Sequence, residues 1–574
     1  MQISKIFAHF AAVLFGLTAP MVTAQSDPGT QTLTLDGNTL TPASLVDASQ
    51  GGWTIEVSED AWERVATSHE ILIEAAQNCQ KIYGLTTGVG ANKDQSRLGC
   101  DSLLNEDGKL SDETVANSQD FNTSLLYAHA AGVGPALPPD IVRAILITRL
   151  NATLFGGTGA SEEVARQYQN FLNADIMPVI PMRGSLGEAD ITLLSHIGLA
   201  MSGEWEVFYR GERMSADVAL ERAGLDPIQV FGKDSLAIFS SNAYTTALSA
   251  LAWDELSNLS AVSKAVFAAS LEGLNGNVTP FLVETNALRP FPEVVSASED
   301  ILSLLTDSYL WEASDTRPLQ DPLSYRTAAF GFGALDAALE DLHDVLVIQL
   351  NGSDDNPGIF MGELSARIRI LDQIYPVTVA GTPGAVIPTA NFSPLTLVLA
   401  VQRASLAAAH VSQSSAMRTI KLADPHLTGL TRFLTTPDNV HAFGAIQKPF
   451  VALAAENRSL ANPVSLDYFA VAQGIEDVAT NGPRAARNAR HIANNLRTIL
   501  GFELMHAAQA VDLRRQLTPE INISSKTHTM LAQYRRHVPF LSRDDHILTN
   551  DIAESDAYLA GCTQSDQNTL IICE

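Results

Sequence analysis

Four long segments with apolar residues at helical spacing constrain the fold more than any other feature of this sequence. They are rich in alanine and leucine and apolar on more than one face, as is typical of helices inside a bundle. Hydrophobic residues make up 46% of the 574-residue chain and charged residues only 17%, which is enough to bury such helices. The pattern predicts a mainly α, elongated long-helix bundle, built on residues 234–273, 325–350, 393–422 and 483–516.

Composition divides the chain into four regions. Residues 1–24 have the features of a secretory signal peptide, with Lys5 before an apolar run and a small-residue cleavage site ending at Ala24. We therefore expect a secreted or periplasmic protein. Residues 25–230 form an N-terminal region that starts with strand-like sequence, residues 231–520 the central helical bundle, and residues 521–574 a C-terminal helical tail.

Net charge argues against two classes of partner. Thirty-six basic against 64 acidic residues give a formal charge of −28. Such a surface repels nucleic acid and anionic membranes, so we expect neither as a partner. No cluster of cysteine and histidine has the spacing of zinc ligands, so no metal site is predicted.

Four cysteines fit an exported protein. The pairings that we favour are the local ones, Cys79–Cys100 and Cys562–Cys573, although four cysteines allow three pairings and the sequence does not select one. Four buried free thiols are the alternative, which is less common in an oxidising compartment.

Five motifs in a fixed order carry a resemblance to a known enzyme family. The motifs are YGLTTGVG (83–90), YAHAAGVG (127–134), QDPLSYR (320–326), TANF (389–392) and NPVSLDYFAVAQGIEDVATNG (462–482). Together they resemble the histidine/phenylalanine/tyrosine ammonia-lyase family over roughly residues 55–520. The resemblance implies a long-helix bundle with a smaller mixed N-terminal region. It also implies a homotetramer whose active sites each draw on three subunits.

The segment GSLGEADITLLSH (184–196) departs from the family pattern where the family's chemistry originates. Family members read G-S-V-G-A-S-G-D-L, and their Ala-Ser-Gly cyclises to the electrophile 4-methylideneimidazol-5-one. Here Glu188 and Ala189 stand in place of those three residues, so the serine and glycine that form the ring are missing. We therefore expect no prosthetic group or other cofactor.

Much of the family's elimination apparatus is otherwise matched. The resemblance makes Tyr83 the general base that removes a β-proton, on a glycine-rich loop suited to closing over substrate. The alternative is an aromatic side chain packed in a turn. Arg326 matches the arginine that anchors the substrate carboxylate, with a structural ion pair as the alternative. Glu476 matches the acidic residue of the family's Q-E-D motif, which implies a catalytic role.

Further matched positions are expected to orient the substrate. His129 would bind its ring, or else be a hydrogen-bonded core histidine. Asn356 would orient substrate or cap its own loop. Asn242 lies two residues beyond Ser240, which replaces a family asparagine, and is a candidate substitute. Leu323 replaces the family's second tyrosine.

Two carboxylates, Glu188 and Asp190, fall where the family's amine would be activated. Charged residues are seldom buried without a partner, so this pair predicts a site for a cation. The ring of Phe392 would add a cation–π contact. The alternative is that Glu188 caps the helix that follows. Lys421 would reach the carboxylate or a ring sulfur, or else lie on the surface.

A trimethylammonium group suits such a site, because trimethylamine leaves as a neutral amine without covalent activation. The combination resembles the ergothionase branch of the family, which eliminates trimethylamine from ergothioneine to give thiolurocanate. We therefore expect a carbon–nitrogen lyase for an amino-acid-derived betaine with an aromatic or imidazole ring. Two alternatives stay open: a lyase or isomerase for another activated leaving group, and a non-catalytic protein that binds an amino-acid-like ligand.

Overall fold

Short strands and helices alternate through the N-terminal region. The structure, a computed structural model, describes residues 31–97, 103–105, 109–369, 371–543, 547–564 and 571–573, so the predicted signal peptide lies outside the described residues. Strands β1 (Gln31–Leu35) and β2 (Trp53–Val57) pair in parallel, and β3 (Val133–Ala136) pairs with β5 (Pro181–Arg183). Strands β4 (Ile176–Pro178), β6 (Glu206–Tyr209) and β7 (Glu212–Ser215) form an antiparallel sheet. This is the smaller mixed region that the resemblance implied. Its elements are β1 (Gln31–Leu35), α1 (Pro42–Ser49), β2 (Trp53–Val57), α2 (Glu59–Gln77), α3 (Asp112–His129), β3 (Val133–Ala136), α4 (Pro139–Leu154), α5 (Glu162–Ala174), β4 (Ile176–Pro178), β5 (Pro181–Arg183), α6 (Ile191–Met201), β6 (Glu206–Tyr209), β7 (Glu212–Ser215) and α7 (Ala216–Ala223).

Long helices dominate the centre of the chain, as the periodicity predicted. The longest, α17 (Gly482–Leu517), packs along α9 (Ala243–Leu274) and α14 (Leu395–Leu422). Helix α13 (Ala328–Leu350) packs against α14. One hydrophobic core runs through the bundle and continues into the N-terminal region. The mainly α fold is therefore confirmed. The elements are α8 (Asp234–Phe239), α9 (Ala243–Leu274), α10 (Val283–Asn286), α11 (Pro292–Leu304), α12 (Leu323–Arg326), α13 (Ala328–Leu350), β8 (Gly358–Met361), β9 (Tyr375–Val379), β10 (Thr382–Ile387), α14 (Leu395–Leu422), α15 (Pro425–Thr428), α16 (Gln447–Leu460) and α17 (Gly482–Leu517).

The helix predicted over residues 234–273 is interrupted at residues 240–242, between α8 and α9. At this break the backbone makes hydrogen bonds outside the helix. The Ser241 carbonyl accepts from the Asp190 N–H at 2.7 Å, and the Asn242 N–H donates to Asp354 Oδ2 at 2.6 Å. The expectation of one continuous helix is wrong here because buried polar partners from distant segments compete for these backbone groups.

Two helices and a short strand pair follow the bundle: α18 (Ser525–Tyr534), α19 (Leu548–Ala560), β11 (Cys562–Gln564) and β12 (Ile571–Cys573). Cys562 lies directly opposite Cys573 in this antiparallel pair. Cys79 and Cys562 are both disulfide-bonded. Cys100 lies outside the described residues, and the two pairings stay predictions.

Among the described residues, α14 alone has the length and apolar character of a membrane-spanning helix, and 56% of that apolar window is buried inside the protein. It packs against α13, α16 and α17. Its apolar character is that of a core helix in a bundle.

Two buried glutamates of the bundle differ in how their charge is compensated. Glu503 pairs with Arg418 through two hydrogen bonds, Nε to Oε1 at 2.6 Å and Nη2 to Oε2 at 2.8 Å. Glu272 has no cationic partner among the described residues; its Oε1 accepts from Ser308 Oγ at 2.6 Å and from the Ser524 N–H at 2.7 Å. Burial raises the pKa of Glu272 to about 7, against the opposing effect of these hydrogen bonds.

Glu272→Gln should stabilise the protein in a pH-dependent way. The folded carboxyl ionises near pH 7 and the unfolded one near 4.5, so ionisation costs stability progressively as the pH rises between these values. Glutamine keeps the accepting oxygen and removes the charge. We expect a gain of about 3 kcal/mol at pH 8 and under about 1 kcal/mol at pH 5 in the free energy of unfolding, measured with denaturant at both pH values.

The matched control is Glu503→Gln, which leaves the Arg418 guanidinium buried without its counter-ion and should destabilise the protein at both pH values. Equal effects of Glu272→Gln at pH 5 and pH 8 would contradict the raised pKa of Glu272.

Candidate active site

One cavity is lined by residues of the YGLTTGVG motif (83–90), of the segment GSLGEADITLLSH (184–196) and of the loop before α17 that contains Glu476. Its volume is about 620 Å³. Further walls come from α3, from α8 and from the loops around β8 and β10. Six of the ten side chains predicted for the site line this cavity: Tyr83, His129, Glu188, Asn356, Phe392 and Glu476.

Tyr83 lies at the start of the glycine-rich loop between α2 and α3, half-buried against the cavity. Its hydroxyl oxygen accepts a hydrogen bond from the Gly90 N–H at 2.8 Å. Burial raises the pKa of Tyr83, the Gly90 hydrogen bond opposes the rise, and the charge of Glu476 adds to it. In the free protein Tyr83 is therefore a neutral phenol at pH 7, placed beside a carboxylate.

Glu188 is held in a tight turn at the wall of the cavity. Gly187 and Ala189, on either side of it, have φ values of +87° and +58°. The Ala189 N–H donates to the Phe392 carbonyl at 3.1 Å, which ties the turn to the TANF loop. Glu188 Oε1 is buried without a hydrogen-bond partner among the described residues. The wall of the cavity therefore carries a carboxylate with one oxygen that no described group of the protein compensates.

The carboxyl of Glu188 titrates near neutrality. Burial raises its pKa to about 7; a hydrogen bond from Ser393 opposes the rise, and the charges of Asp190 and Glu476 add to it. The alternative role of Glu188 as a helix cap is not observed, because α6 begins at Ile191 without a side-chain cap.

Asp190 is buried away from the cavity. Its carboxylate accepts from the Thr245 N–H at 2.9 Å and from Ser185 Oγ at 3.0 Å. Burial raises the pKa of Asp190 to about 6, although these hydrogen bonds favour the charged form. The structure does not bring Asp190 to the cation site that we expected, because Thr245 of α9 and Ser185 donate hydrogen bonds to its two carboxylate oxygens.

Aromatic rings form part of the cavity wall. The His129 ring stacks on Phe239 with centroids 4.9 Å apart and planes 23° apart. Its Nδ1 is hydrogen-bonded to the Leu125 carbonyl at 2.8 Å, which leaves Nε2 as the free ring nitrogen. With Phe392, these rings form a surface for a flat apolar ligand or a cation.

Asn356 lines the cavity but its Oδ1 is already used. It accepts from the Thr389 N–H at 2.9 Å and so joins the loop after α13 to the TANF loop. This is the loop-capping role that the sequence left as the alternative.

Asn242 is completely buried and does not line the cavity. Neither its Oδ1 nor its Nδ2 has a hydrogen-bond partner among the described residues. The structure gives no contact through which Asn242 would replace the family's asparagine, because the break between α8 and α9 places Ser240 on the cavity wall instead.

Arg326 and Lys421 lie near the ends of α12 and α14, outside the lining of this cavity. Arg326 ends α12, where its Nη1 donates to Gln320 Oε1 at 3.0 Å, while its Nε is buried with no hydrogen-bond partner among the described residues. Lys421 lies one turn beyond Arg418 at the end of α14, and α12 packs on this end of α14 through a 3.3 Å bond from Arg418 Nη1 to the Ser324 carbonyl. Neither Arg326 nor Lys421 lines the cavity of its own chain.

Sequence reasoning missed two cavity-lining groups. Phe121 and Phe239 belong to helices whose apolar residues look like ordinary core, and Lys93 and Arg97 lie beyond the YGLTTGVG motif. The one signal in the sequence is that basic residues are scarce in this chain, yet Lys93 and Arg97 follow the YGLTTGVG motif closely.

The segment GSLGEADITLLSH (184–196) lacks the residues that would form the family's prosthetic group. The half-buried carboxylate side chain of Glu188 occupies the place of the ring-forming residues, and no serine lies between Gly187 and Asp190. In the described part of the chain, no group of three or more His, Cys, Asp or Glu side chains is arranged to hold a metal ion.

The comparison with known families agrees with the fold and the motifs. The chain matches the aromatic amino acid lyase family over residues 40–536. The histidine ammonia-lyase of Halalkalibacterium halodurans is 30% identical over 527 residues, which are 92% of this chain and 95% of that protein. The chain therefore belongs to the aromatic amino acid lyase family.

Two solved structures narrow the class further. Ergothionase from Treponema denticola, an ergothioneine-degrading enzyme, is 37% identical with a TM-score of 0.80, over 92% of this chain and 99% of that one. Tyrosine aminomutase from Streptomyces globisporus is 26% identical with the same TM-score of 0.80, over 92% of this chain and 97% of that one. The family and the ergothionase neighbour support a carbon–nitrogen lyase.

A titration of cation binding tests the placement of Glu188. Because its pKa is about 7, the carboxylate gains its charge as the pH rises through neutrality. The affinity for tetramethylammonium, measured by calorimetry, should therefore increase about tenfold between pH 6 and pH 8. In Glu188→Gln the increase should disappear, whereas an unchanged pH dependence in that variant would assign the titration to another group.

Proposed function

We propose that this protein is a lyase that eliminates trimethylamine from a betaine with an aromatic or imidazole ring, such as ergothioneine, without a prosthetic group. The observation that carries the proposal is the unpartnered Glu188 carboxylate oxygen in the same cavity as Tyr83. A carboxylate favours a permanent cation at this position, and the aromatic wall adds cation–π attraction. The ergothionase neighbour supports the same substrate class.

In the proposed reaction Tyr83, as the phenolate, removes the β-proton of the substrate. The C–H electron pair becomes the new carbon–carbon double bond, the C–N bond breaks, and trimethylamine leaves with its electron pair. The product is an α,β-unsaturated acid, which is thiolurocanate when ergothioneine reacts. Burial raises the pKa of Tyr83 in the free protein, and the charge of Glu476 adds to the rise. A bound ammonium group offsets the charge of Glu476 and so removes the smaller of these two effects, which favours the phenolate that the reaction needs.

Assembly of subunits is the second part of the proposal. Arg326 and Lys421 would complete the site of a neighbouring subunit in a homotetramer, as the family resemblance implies. An exposed apolar face supports such contacts: a further cavity of about 950 Å³ lies on α14 and α16, with Leu399, Leu406 and Leu466 on its wall. Residues 1–24 would direct the protein to the periplasm or outside the cell.

Incubation of the purified mature protein with ergothioneine and with hercynine tests the proposed reaction. We expect trimethylamine release together with a new near-ultraviolet absorbance from the conjugated acid. Tyr83→Phe removes the base and should lower kcat by about 10²- to 10⁴-fold with little change in substrate affinity. A folded wild-type protein that binds these betaines without releasing an amine would instead be a binding protein. Release of a different fragment from another substrate would make it a lyase for another leaving group.

Mixing two inactive variants tests whether Arg326 acts in a neighbouring subunit. Tyr83→Phe and Arg326→Gln, co-expressed in equal amounts, should regain about a quarter of wild-type activity, since a random tetramer combines the two intact residues at one site in four. The control pair is Tyr83→Phe with Glu188→Gln. Both residues line one chain's cavity, so this pair should regain none. Full activity of Arg326→Gln alone would contradict its role as anchor.

A further inference from the structure

The charged side chains of the active-site cavity come from different segments according to their sign. Its carboxylates, Glu188 and Glu476, belong to the turn before α6 and to the loop before α17. Its cations, Lys93 and Arg97, both belong to the loop that begins with Tyr83. The cavity therefore offers a charge of opposite sign to each end of a zwitterionic ligand.

Among the described residues, only one of the two cations has an ion-pair partner. Lys93 forms an ion pair with the adjacent Asp94. Arg97 forms no ion pair with the described residues of the chain, and its guanidinium lies over the Phe121 ring, 4.9 Å from the ring centroid. Stacking on an aromatic face orients the planar guanidinium while leaving its N–H groups available to an anion.

The loop closes on itself and so brings Arg97 back to Tyr83. Thr87 and Ser96 form an antiparallel bridge. The Gly88 N–H donates to the Gln95 carbonyl at 3.0 Å, and the Arg97 N–H donates to the Thr86 carbonyl at 2.8 Å. These bonds fix the end of the loop beside its beginning. The proposed base and the uncompensated cation are therefore carried by one closed loop.

We propose that Arg97, in the same chain that supplies Tyr83 and Glu188, binds the carboxylate of the substrate in addition to Arg326 of a neighbouring subunit. The inference rests on the proposed function and extends it to a specificity-determining residue. In a betaine the carboxylate and the ammonium share one carbon, and the proton to be removed is on the next. With the carboxylate on Arg97 and the ammonium group on Glu188, both charged substituents of that carbon are bound, which directs the β-carbon to Tyr83 in the same cavity.

Ligand discrimination by the Tyr83→Phe protein tests this role without turnover. The two ligands are ergothioneine and the same trimethylammonium compound lacking its carboxylate, and affinities are measured by calorimetry. Adding Arg97→Gln should lower the affinity for ergothioneine about tenfold and leave that for the decarboxylated compound unchanged, because an exposed charge-assisted contact has about that strength. Arg97→Lys should keep part of the discrimination, since it retains the charge but not the bidentate geometry.

Arg289→Gln is the matched control. Arg289 is also exposed and stacked on a phenylalanine, 4.6 Å from the centroid of Phe291, but does not line the cavity, so the ratio of the two affinities should not change. A ratio unaffected by Arg97→Gln, or one that falls only in Arg326→Gln, would overturn the inference. Absence of trimethylamine release by the wild-type protein would overturn the proposed function instead, and the two ligand affinities would still decide the role of Arg97.

Discussion

The geometry of the cavity depends on a cluster of four buried charges behind it. Arg149 of α4 contacts Asp354 and Asp355, each at 3.1 Å, and Lys233 contacts Asp355 at 3.2 Å. Although burial alone would raise the pKa of Asp355, Arg149 and Lys233 lower it below the usual value and keep that carboxylate ionised. Breaking one member would leave an uncompensated charge in the core, which is among the most destabilising changes a protein can undergo. The cluster fixes Asp354 against the break between α8 and α9, and Asp355 next to Asn356, so two walls of the cavity share one support.

The long helices could be predicted from the sequence because their stability comes from a repeating apolar pattern, which is local information. The break at residues 240–242 could not, since it exists only where Asp190 and Asp354, distant in sequence, meet the backbone. The same limit applies to Asp190 itself. Its neighbour Glu188 has the same charge and a similar sequence context. However, Thr245 at the start of α9 donates to the carboxylate of Asp190, whereas Glu188 Oε1 has no partner among the described residues.

Motif matching located Tyr83, His129 and Glu476 because each lies inside a segment with a recognisable order of residues. It gave no information on which chain supplies a residue to which site. Arg326 carries a family resemblance as close as that of Tyr83, but it lies, together with Lys421, at the junction of α12 and α14 rather than on the cavity wall. Arg97 shows the converse. No motif marks it, and only the hydrogen bonds that close its loop bring it to the cavity.

The proposed chemistry follows from replacing an electrophile with an anion. In the family, the prosthetic group makes a primary amine leave by bonding to it. A carboxylate such as Glu188 can attract an ammonium group but cannot improve ammonia as a leaving group. An ordinary α-amino acid would therefore bind in this cavity and remain intact. Three methyl groups change the outcome, because a quaternary nitrogen has no proton to lose and leaves directly as a neutral amine. Under the proposed function, selectivity between the two is decided at the C–N bond and not by binding, which is where differential transition-state stabilisation acts.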